Sequence, residues 1–314
     1  AYEIRPRDWS SDVCSSDLNT GYYMTMAPLA ARGKIMVGVS GGERGIRGFV
    51  AALDAETGNQ VWKTYTIPGP GEPGNDSWPG DSWKTGGAPV WVTGSYDPKL
   101  GLTYWGTGNP GPWTGDTRPG DNLYTSSVIA LEVDTGKLRG HHQYHWNDSW
   151  DWDEVSAPLL IDVPRNGALV PGLVHPGRDG YLWTLERKPD GISFISGKPY
   201  VKQNVFTKLD PVTGRPEYDM THKPEVGKRA KYCPSLWGGK DWVPAAYSPK
   251  TGYLYIPANE NLCQELEGEE VEYRPGQQYT GAQTRDFIVA EGADQDRKST
   301  RLNSSHVALS RMPS

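Results

Sequence analysis

Ala52-Leu53-Asp54-Ala55-Glu56-Thr57-Gly58-Asn59-Gln60-Val61-Trp62 reads as an apolar strand closing on an acidic residue, a Thr-Gly turn, and a second strand ending in tryptophan. The unit recurs at Ala130-Leu131-Glu132-Val133-Asp134-Thr135-Gly136-Lys137-Leu138-Arg139-Gly140, with Gly140 in the tryptophan position. A second hairpin also occurs twice. Trp91 precedes Tyr96-Asp97-Pro98-Lys99-Leu100-Gly101-Leu102-Thr103-Tyr104, and Trp242 precedes Tyr247-Ser248-Pro249-Lys250-Thr251-Gly252-Tyr253-Leu254-Tyr255. Each reads as strand, Pro-Lys-x-Gly turn, strand. Short strands repeated with glycine and aromatic punctuation predict an all-β chain of four-stranded antiparallel blades, a β-propeller. A β-sandwich is the other architecture open to such strands, and the repeat spacing favours the propeller. Strands do not alternate with helices, which argues against a doubly wound nucleotide fold. Gly38-Val39-Ser40-Gly41-Gly42-Glu43 lacks both the Lys-Ser/Thr and the following helix of a phosphate loop.

Composition agrees with this reading. The chain has 314 residues, 13 Trp, 17 Tyr, 38 Gly and 26 Pro, so aromatic cores and turns dominate while long apolar periods are missing. That aromatic content excludes disorder over the interior. A net charge of −6 gives no basis for nucleic acid as a partner. No apolar run reaches the length of a transmembrane helix, so an integral membrane protein of helical type is not expected.

Both ends fall outside the pattern. Arg7-Asp8-Trp9-Ser10-Ser11-Asp12-Val13-Cys14-Ser15-Ser16-Asp17-Leu18 has neither strand alternation nor a helix face, and the tail from Arg297 to Ser314 is equally patternless. Both resemble translated sequencing-adapter strings. Residues 1–18 and 293–314 are therefore expected to be foreign to the fold and disordered, with a partial propeller over 19–292 from a gene cut at both ends.

Three oxygen-rich segments stand out within the interior. Glu43 lies in Ser40-Gly41-Gly42-Glu43-Arg44, Asn109 in Gly106-Thr107-Gly108-Asn109-Pro110, and Asp151 and Asp153 in Ser149-Trp150-Asp151-Trp152-Asp153. Carboxylates and an amide carbonyl suit a hard cation rather than zinc. Taken singly, turn-capping on solvated loops is the commoner account of each, and spacing alone favours it over a metal site.

Segments 36–74, 78–124, 146–160 and 233–263 resemble, in the same order, the PQQ-dependent (quinoprotein) alcohol dehydrogenases of the methanol and ethanol dehydrogenase type. The Thr-Gly-x-x-x-Trp unit resembles that family's tryptophan-docking repeat, intact at Trp62 and lost at Gly140. The resemblance implies about half of an eight-bladed propeller. It implies Glu43, Asn109 and Asp151 as metal ligands beside the quinone, with Trp91 stacked on it and Arg178 facing its oxygens. Thr25 and Ser40 match donors to a cofactor carboxylate, and Asp241 stands where many members have Asn. Asp153 adds a fourth oxygen ligand, as in members that use a lanthanide where calcium enzymes carry Ala.

The resemblance also implies the chemistry. Asp151 would take the hydroxyl proton of a small primary alcohol while hydride passes to PQQ, activated by a lanthanide or Ca2+ acting as Lewis acid. Aldehyde is the product, and a cytochrome c accepts the electrons. A periplasmic location and a homodimer of the complete protein follow by the same resemblance. Cys233 and Cys263 match positions bridged in the family, two unrelated thiols being the alternative. The family's adjacent-cysteine bridge beside the cofactor has no counterpart here. An isolated half-ring is expected to expose blade edges and to be inactive. Two other functions suit a tryptophan-rich propeller: a non-catalytic scaffold of the outer-membrane assembly type, and a carbohydrate-binding or glycosidase propeller. The scaffold has no use for Glu43, Asn109, Asp151, Trp91 and Arg178 together, and the carbohydrate reading leaves Gly-x-Gly-Asn-Pro unexplained.

Overall fold

A computed structural model describes residues 20–290 and the backbone of 306–311. The expectations for residues 1–18 and for most of 293–314 lie outside the described residues. Within the described residues every regular element is a strand or a single 3-10 turn. Four strands form the first sheet in chain order: β1 (Leu29–Ala31), β2 (Lys34–Gly38), β3 (Phe49–Asp54) and β4 (Gln60–Tyr65). β5 (Ser95–Asp97), β6 (Leu102–Gly106), β7 (Ser127–Glu132) and β8 (Leu138–Gln143) form the second. The third comprises β9 (Leu159–Arg165), β10 (Ala168–Pro176), β11 (Tyr181–Lys188) and β12 (Gly191–Pro199). All pairings are antiparallel between sequence neighbours, the meander of a propeller blade.

Smaller sheets follow. β13 (Phe206–Leu209) pairs with β14 (Pro216–Tyr218), and β15 (Arg229–Tyr232) pairs with β18 (Leu262–Gly268). β16 (Ala246–Ser248) and β17 (Tyr253–Ala258) form the second Pro-Lys-x-Gly hairpin, with Tyr247 opposite Leu254. β19 (Ala282–Thr284) and β20 (Ile288–Val289) add to β18. β21 (His306–Arg311) pairs along β17, so that stretch departs from the unstructured tail expected there. An open strand edge accepts such pairing without regard to side-chain pattern.

The cores lie between successive sheets. Met36, Val50, Ala52 and Trp62 of the first sheet close on Trp105, Ile129 and Leu131 of the second. Tyr104, Val128 and Ala130 on the opposite face of the second close on Leu173, Trp183 and Leu185 of the third. Alternation along β6 thus feeds two cores, which is why Tyr104 and Trp105 are both fully buried. Face-to-face stacking of consecutive four-stranded meanders is the propeller arrangement.

The tryptophan repeat acts as the lock between blades. Trp62 Nε1 donates to Val133 O at 2.9 Å, and its ring covers Gly136 so closely that a Cβ there would lie 2.5 Å from the indole. In the next unit, a Cβ on Gly140 would meet Gly191 Cα at 2.6 Å, so backbone fills the place of the missing indole. A third copy of the turn escaped sequence reading. Asp210-Pro211-Val212-Thr213-Gly214 reproduces the bonds of the first: Thr213 N and Oγ1 donate to Asp210 Oδ1, as Thr57 does to Asp54 Oδ1. Phe194 covers Gly214 as Trp62 covers Gly136.

Removing the indole lock should be costly because it deletes both burial and a buried hydrogen bond. Trp62→Ala is expected to lower stability by about 3–5 kcal/mol, read from denaturant unfolding; a loss under 1 kcal/mol would show that the sheets dock without it.

Candidate functional site

The loop bearing Asp151 is pinned at both flanks by indoles. Trp150 and Trp152 are fully buried and stacked at 4.9 Å, and each donates its indole N–H to a distant carbonyl, His222 O at 2.8 Å and Ser235 O at 2.9 Å. Burying both tryptophans leaves the residue between them to face the opposite way. Asp151 does so with φ of 64°, the left-handed region that Asp tolerates better than bulkier residues. The disulfide Cys233–Cys263 joins β18 to the Cys233-Pro234-Ser235 segment that receives the Trp152 indole.

A second loop brings Glu43 to the same place. Gly41 adopts φ of 109°, and a Cβ on it would fall 2.0 Å from Gly21 O, so glycine lets the two backbones touch. The turn Gly42–Arg44 then presents Glu43. Thr25 Oγ1 and Ser40 Oγ are hydrogen-bonded at 2.8 Å, and Thr25 Oγ1 also donates to Trp91 O at 3.1 Å.

These loops converge on a cavity of about 240 Å³. Seven of the nine residues expected at the site line it: Thr25, Ser40, Glu43, Trp91, Asp151, Asp153 and Arg178. Tyr23 and Pro89 line it as well and carried no sequence signal. Asn109 and Asp241 stand one step behind the lining. Asn109 donates its backbone N–H to Asp153 Oδ1 at 2.8 Å, and Asp241 Oδ1 accepts from Arg178 Nη2 at 2.7 Å.

Asp153 is the most bonded member. Besides the Asn109 amide, its Oδ2 accepts from Trp91 Nε1 at 3.0 Å and from Arg178 Nη1 at 3.1 Å. Arg178 Nη1 also donates to Asp151 O at 3.1 Å. One guanidinium therefore serves several buried acceptors. It does not balance them: Glu43, Asp151 and Asp153 line the cavity, and Arg178 is the one cationic side chain among the described lining residues.

The imbalance appears in the proton affinities. Burial pushes Asp153 up to about 7, against the pull of Arg178 and with the added push of Glu43. Burial also raises Asp151 well above the usual carboxylate range, Arg178 again opposing and Asp153 and Glu43 reinforcing. Asp151 Oδ1 and Asn109 Oδ1 are buried and have no hydrogen-bond partner. Unsatisfied buried acceptors among like charges are what a bound cation would relieve.

Beneath the lining lies a buried network that sequence reading left without a role: His145, Asp148, Glu154, His175 and Asp179 are all fully buried. His145 Nε2 lies 3.0 Å from Asp148 Oδ1, and its Nδ1 lies 3.7 Å from both Glu154 Oε1 and Asp179 Oδ2. Burial alone would lower its proton affinity, but the carboxylates of Asp148 and Asp179 dominate and raise it to about 10. The imidazolium is thus the cation of this cluster. The only sequence hint was Asp148 three residues before Asp151, an Asx-type spacing.

A family model described as the β-propeller domain of PQQ-containing glucose, ethanol and alcohol dehydrogenases matches residues 10–195. A lanthanide-dependent methanol dehydrogenase of Methylacidiphilum fumariolicum is 39% identical over 89% of this chain and 48% of its own length. The quinoprotein alcohol dehydrogenase PedH of Pseudomonas putida is 37% identical over 87% of this chain and 49% of its own. The solved structure of a europium-containing methanol dehydrogenase superposes with a TM-score of 0.84 at 38% identity, covering 90% of this chain and 52% of that one. The chain thus spans about half the length of the relatives it matches.

The raised affinity of Asp153 has a measurable sign. A carboxyl held near 7 in the folded chain and near 4 in the unfolded one favours folding at acid pH, and that contribution disappears as pH rises through about 7. In chelator-treated protein, Asp153→Asn should therefore gain stability relative to the parent as pH is raised from about 4 to about 7. Thermal melts across that range would show a constant difference if Asp153 were ionised throughout.

Proposed function

The chain belongs to the PQQ-containing glucose, ethanol and alcohol dehydrogenases, and from that premise we propose that it carries the PQQ- and metal-binding face of an alcohol dehydrogenase. The observation that carries this reading is the cavity floor: three carboxylates face one guanidinium, with Asn109 Oδ1 and Asp151 Oδ1 buried and unpartnered nearby. A hard cation held by Glu43, Asn109, Asp151 and Asp153 would satisfy that set. Trp91 supplies an aromatic face, its N–H fixed by Asp153. The paired hydroxyls of Thr25 and Ser40 supply donors for a carboxylate, and Arg178 supplies a fixed positive charge. Such a site suits a planar, polyanionic quinone.

When bound, PQQ would supply the hydride acceptor and the cation a Lewis acid beside it. The chain's own contribution is to hold and move a proton. Asp151, which lines the cavity, accepts the hydroxyl proton of the alcohol. Glu43, Asn109 and Asp153 would hold the cation next to Asp151, which would favour its ionised form against burial and its acidic neighbours. Arg178 fixes the backbone of Asp151 and the carboxylate of Asp153 together, so proton acceptor and ligand shell move as one body. Small primary alcohols fit as substrate, with the aldehyde as product and a cytochrome c as electron acceptor; one relative's name includes that partner. The disulfide supports an oxidising compartment, the periplasm. Because the chain spans about half of its relatives, turnover is proposed for the assembled ring.

The binding part of the reading is testable on this chain: PQQ together with a light lanthanide should be retained through gel filtration with quinone absorbance, and loss of both would overturn it. In a chain extended to the relatives' length, Asp151→Asn should lower kcat by about 10²–10⁴-fold while PQQ stays bound. Asp153 bears on the metal, since a trivalent ion gains more from an extra carboxylate than a divalent one. Asp153→Ala should shift preference from a light lanthanide toward calcium in competition binding; an unchanged ratio would remove Asp153 from metal selection.

A further inference from the structure

The Asp151 loop is held from below by a carboxylate that the proposed chemistry does not use. Asp148 Oδ2 accepts the backbone N–H of Trp150 at 3.1 Å and of Asp151 at 2.9 Å. Its Oδ1 faces His145 Nε2 at 3.0 Å, and Arg118 donates to its backbone carbonyl. On the far side of His145, Glu154 Oε2 accepts the backbone N–H of Arg178 at 3.1 Å and contacts His175 Nε2 at 2.6 Å. Glu154 Oε1 accepts the N–H of Asp179 at 3.0 Å. Asp148 is hydrogen-bonded to His145, and Glu154 stands 3.7 Å from the other ring nitrogen, so this buried cluster reaches from the amide of Asp151 to the amide of Arg178. Both of those residues line the cavity, and every side chain in the cluster is fully buried.

The cluster has a job that its own burial does not explain. Asp151 sits at φ of 64°, a conformation a non-glycine residue keeps only where its surroundings over-determine it. Asp148 Oδ2 accepts the N–H groups of Asp151 and the residue before it, and Oδ1 accepts that of Trp152 at 3.4 Å, so its carboxylate closes the turn that produces this conformation. We propose that Asp148, steadied by His145, is the positioning residue that aims the Asp151 carboxylate into the cavity. The inference rests on the proposed role of Asp151 as a metal ligand. It adds that the ligand set depends on a hydrogen-bond acceptor at residue 148 rather than on its charge.

The test uses the chain with terbium as probe, titrated by luminescence sensitised through the cavity's Trp91. Amide hydrogen exchange over residues 149–153 is followed in parallel. Asp148→Ala removes the acceptor, and Asp148→Leu, close to Asp in size and without an acceptor, is the second breaking variant should the alanine form fail to fold. Asp148→Asn keeps an oxygen toward both N–H groups while discarding the charge. The expected result is terbium affinity about 10–100-fold weaker in the breaking variants, with faster exchange confined to the amides of Trp150, Asp151 and Trp152. Asp148→Asn should restore both readouts nearly to the parent values. Parent-like affinity in the breaking variants overturns the inference, as does an asparagine variant as impaired as the alanine one. Unchanged terbium binding in Asp151→Asn instead overturns the site reading on which the inference rests.

Discussion

Burying Asp151 and Asp153 side by side, with Arg178 as their shared cation, is the constraint around which the described structure is organised. Each carboxylate removed from water must be met by hydrogen bonds or opposite charge, or it will hold its proton. Asp153 is met three times over, by the Asn109 amide, the Trp91 indole and Arg178, and still binds its proton far more tightly than a solvated carboxyl. Asp151 has an oxygen with no partner. A protein that only needed stability would have placed apolar side chains here. Under the proposed function, a cation and an anionic quinone would each match part of what the acidic floor and the cationic Arg178 lack.

The propeller supplies the means. Its sheets are stiff because each presents two apolar faces to its neighbours, as Tyr104 and Trp105 do on opposite sides of β6. Loops leaving those sheets can then carry unfavourable conformations without the fold yielding. The Asp151 loop is the clearest case. Trp150 and Trp152 are buried against Tyr218, Phe206 and Tyr232 of the later strands, and their indole N–H groups reach carbonyls more than 70 residues away. Burial of two large aromatic side chains stabilises the loop by several times what its left-handed residue costs. Below it, the His145 imidazolium draws Asp148, Glu154 and Asp179 together, so the loops of Asp151 and Arg178 share one buried anchor.

Much of the fold was legible because local chemistry and tertiary role coincide in the repeats. Asp54-x-x-Thr57-Gly58 makes the same turn in isolation as in the sheet, through bonds to the Asp54 carboxylate. The third copy at Asp210–Gly214 was missed because Tyr218 stands after it where the first unit has Trp62. In the site, Glu43, Trp91, Asp151, Asp153 and Arg178 were legible through family motifs and do meet at one cavity. Asn109 and Asp241 were read from the same motifs, yet they stand behind Asp153 and Arg178. A motif gives residue type and order, and depth within a layer of side chains depends on packing from elsewhere. His145, His175 and Asp179 had no signal at all, since scattered His and Asp are ordinary surface residues until their surroundings bury them.

The sequence by itself determined the strand units, their Thr-Gly and Pro-Lys-x-Gly turns, the all-β class and the residue types of the acidic floor. Those properties follow from interactions within about ten residues of chain, where turn chemistry and side-chain alternation act directly. Only the tertiary structure decided which carboxylates share Arg178, which acceptors are left without partners, and that Asp148 and Glu154 tie two functional loops to one histidine. Each of those outcomes depends on burial, and burial is set by sheets that approach one another across long stretches of chain.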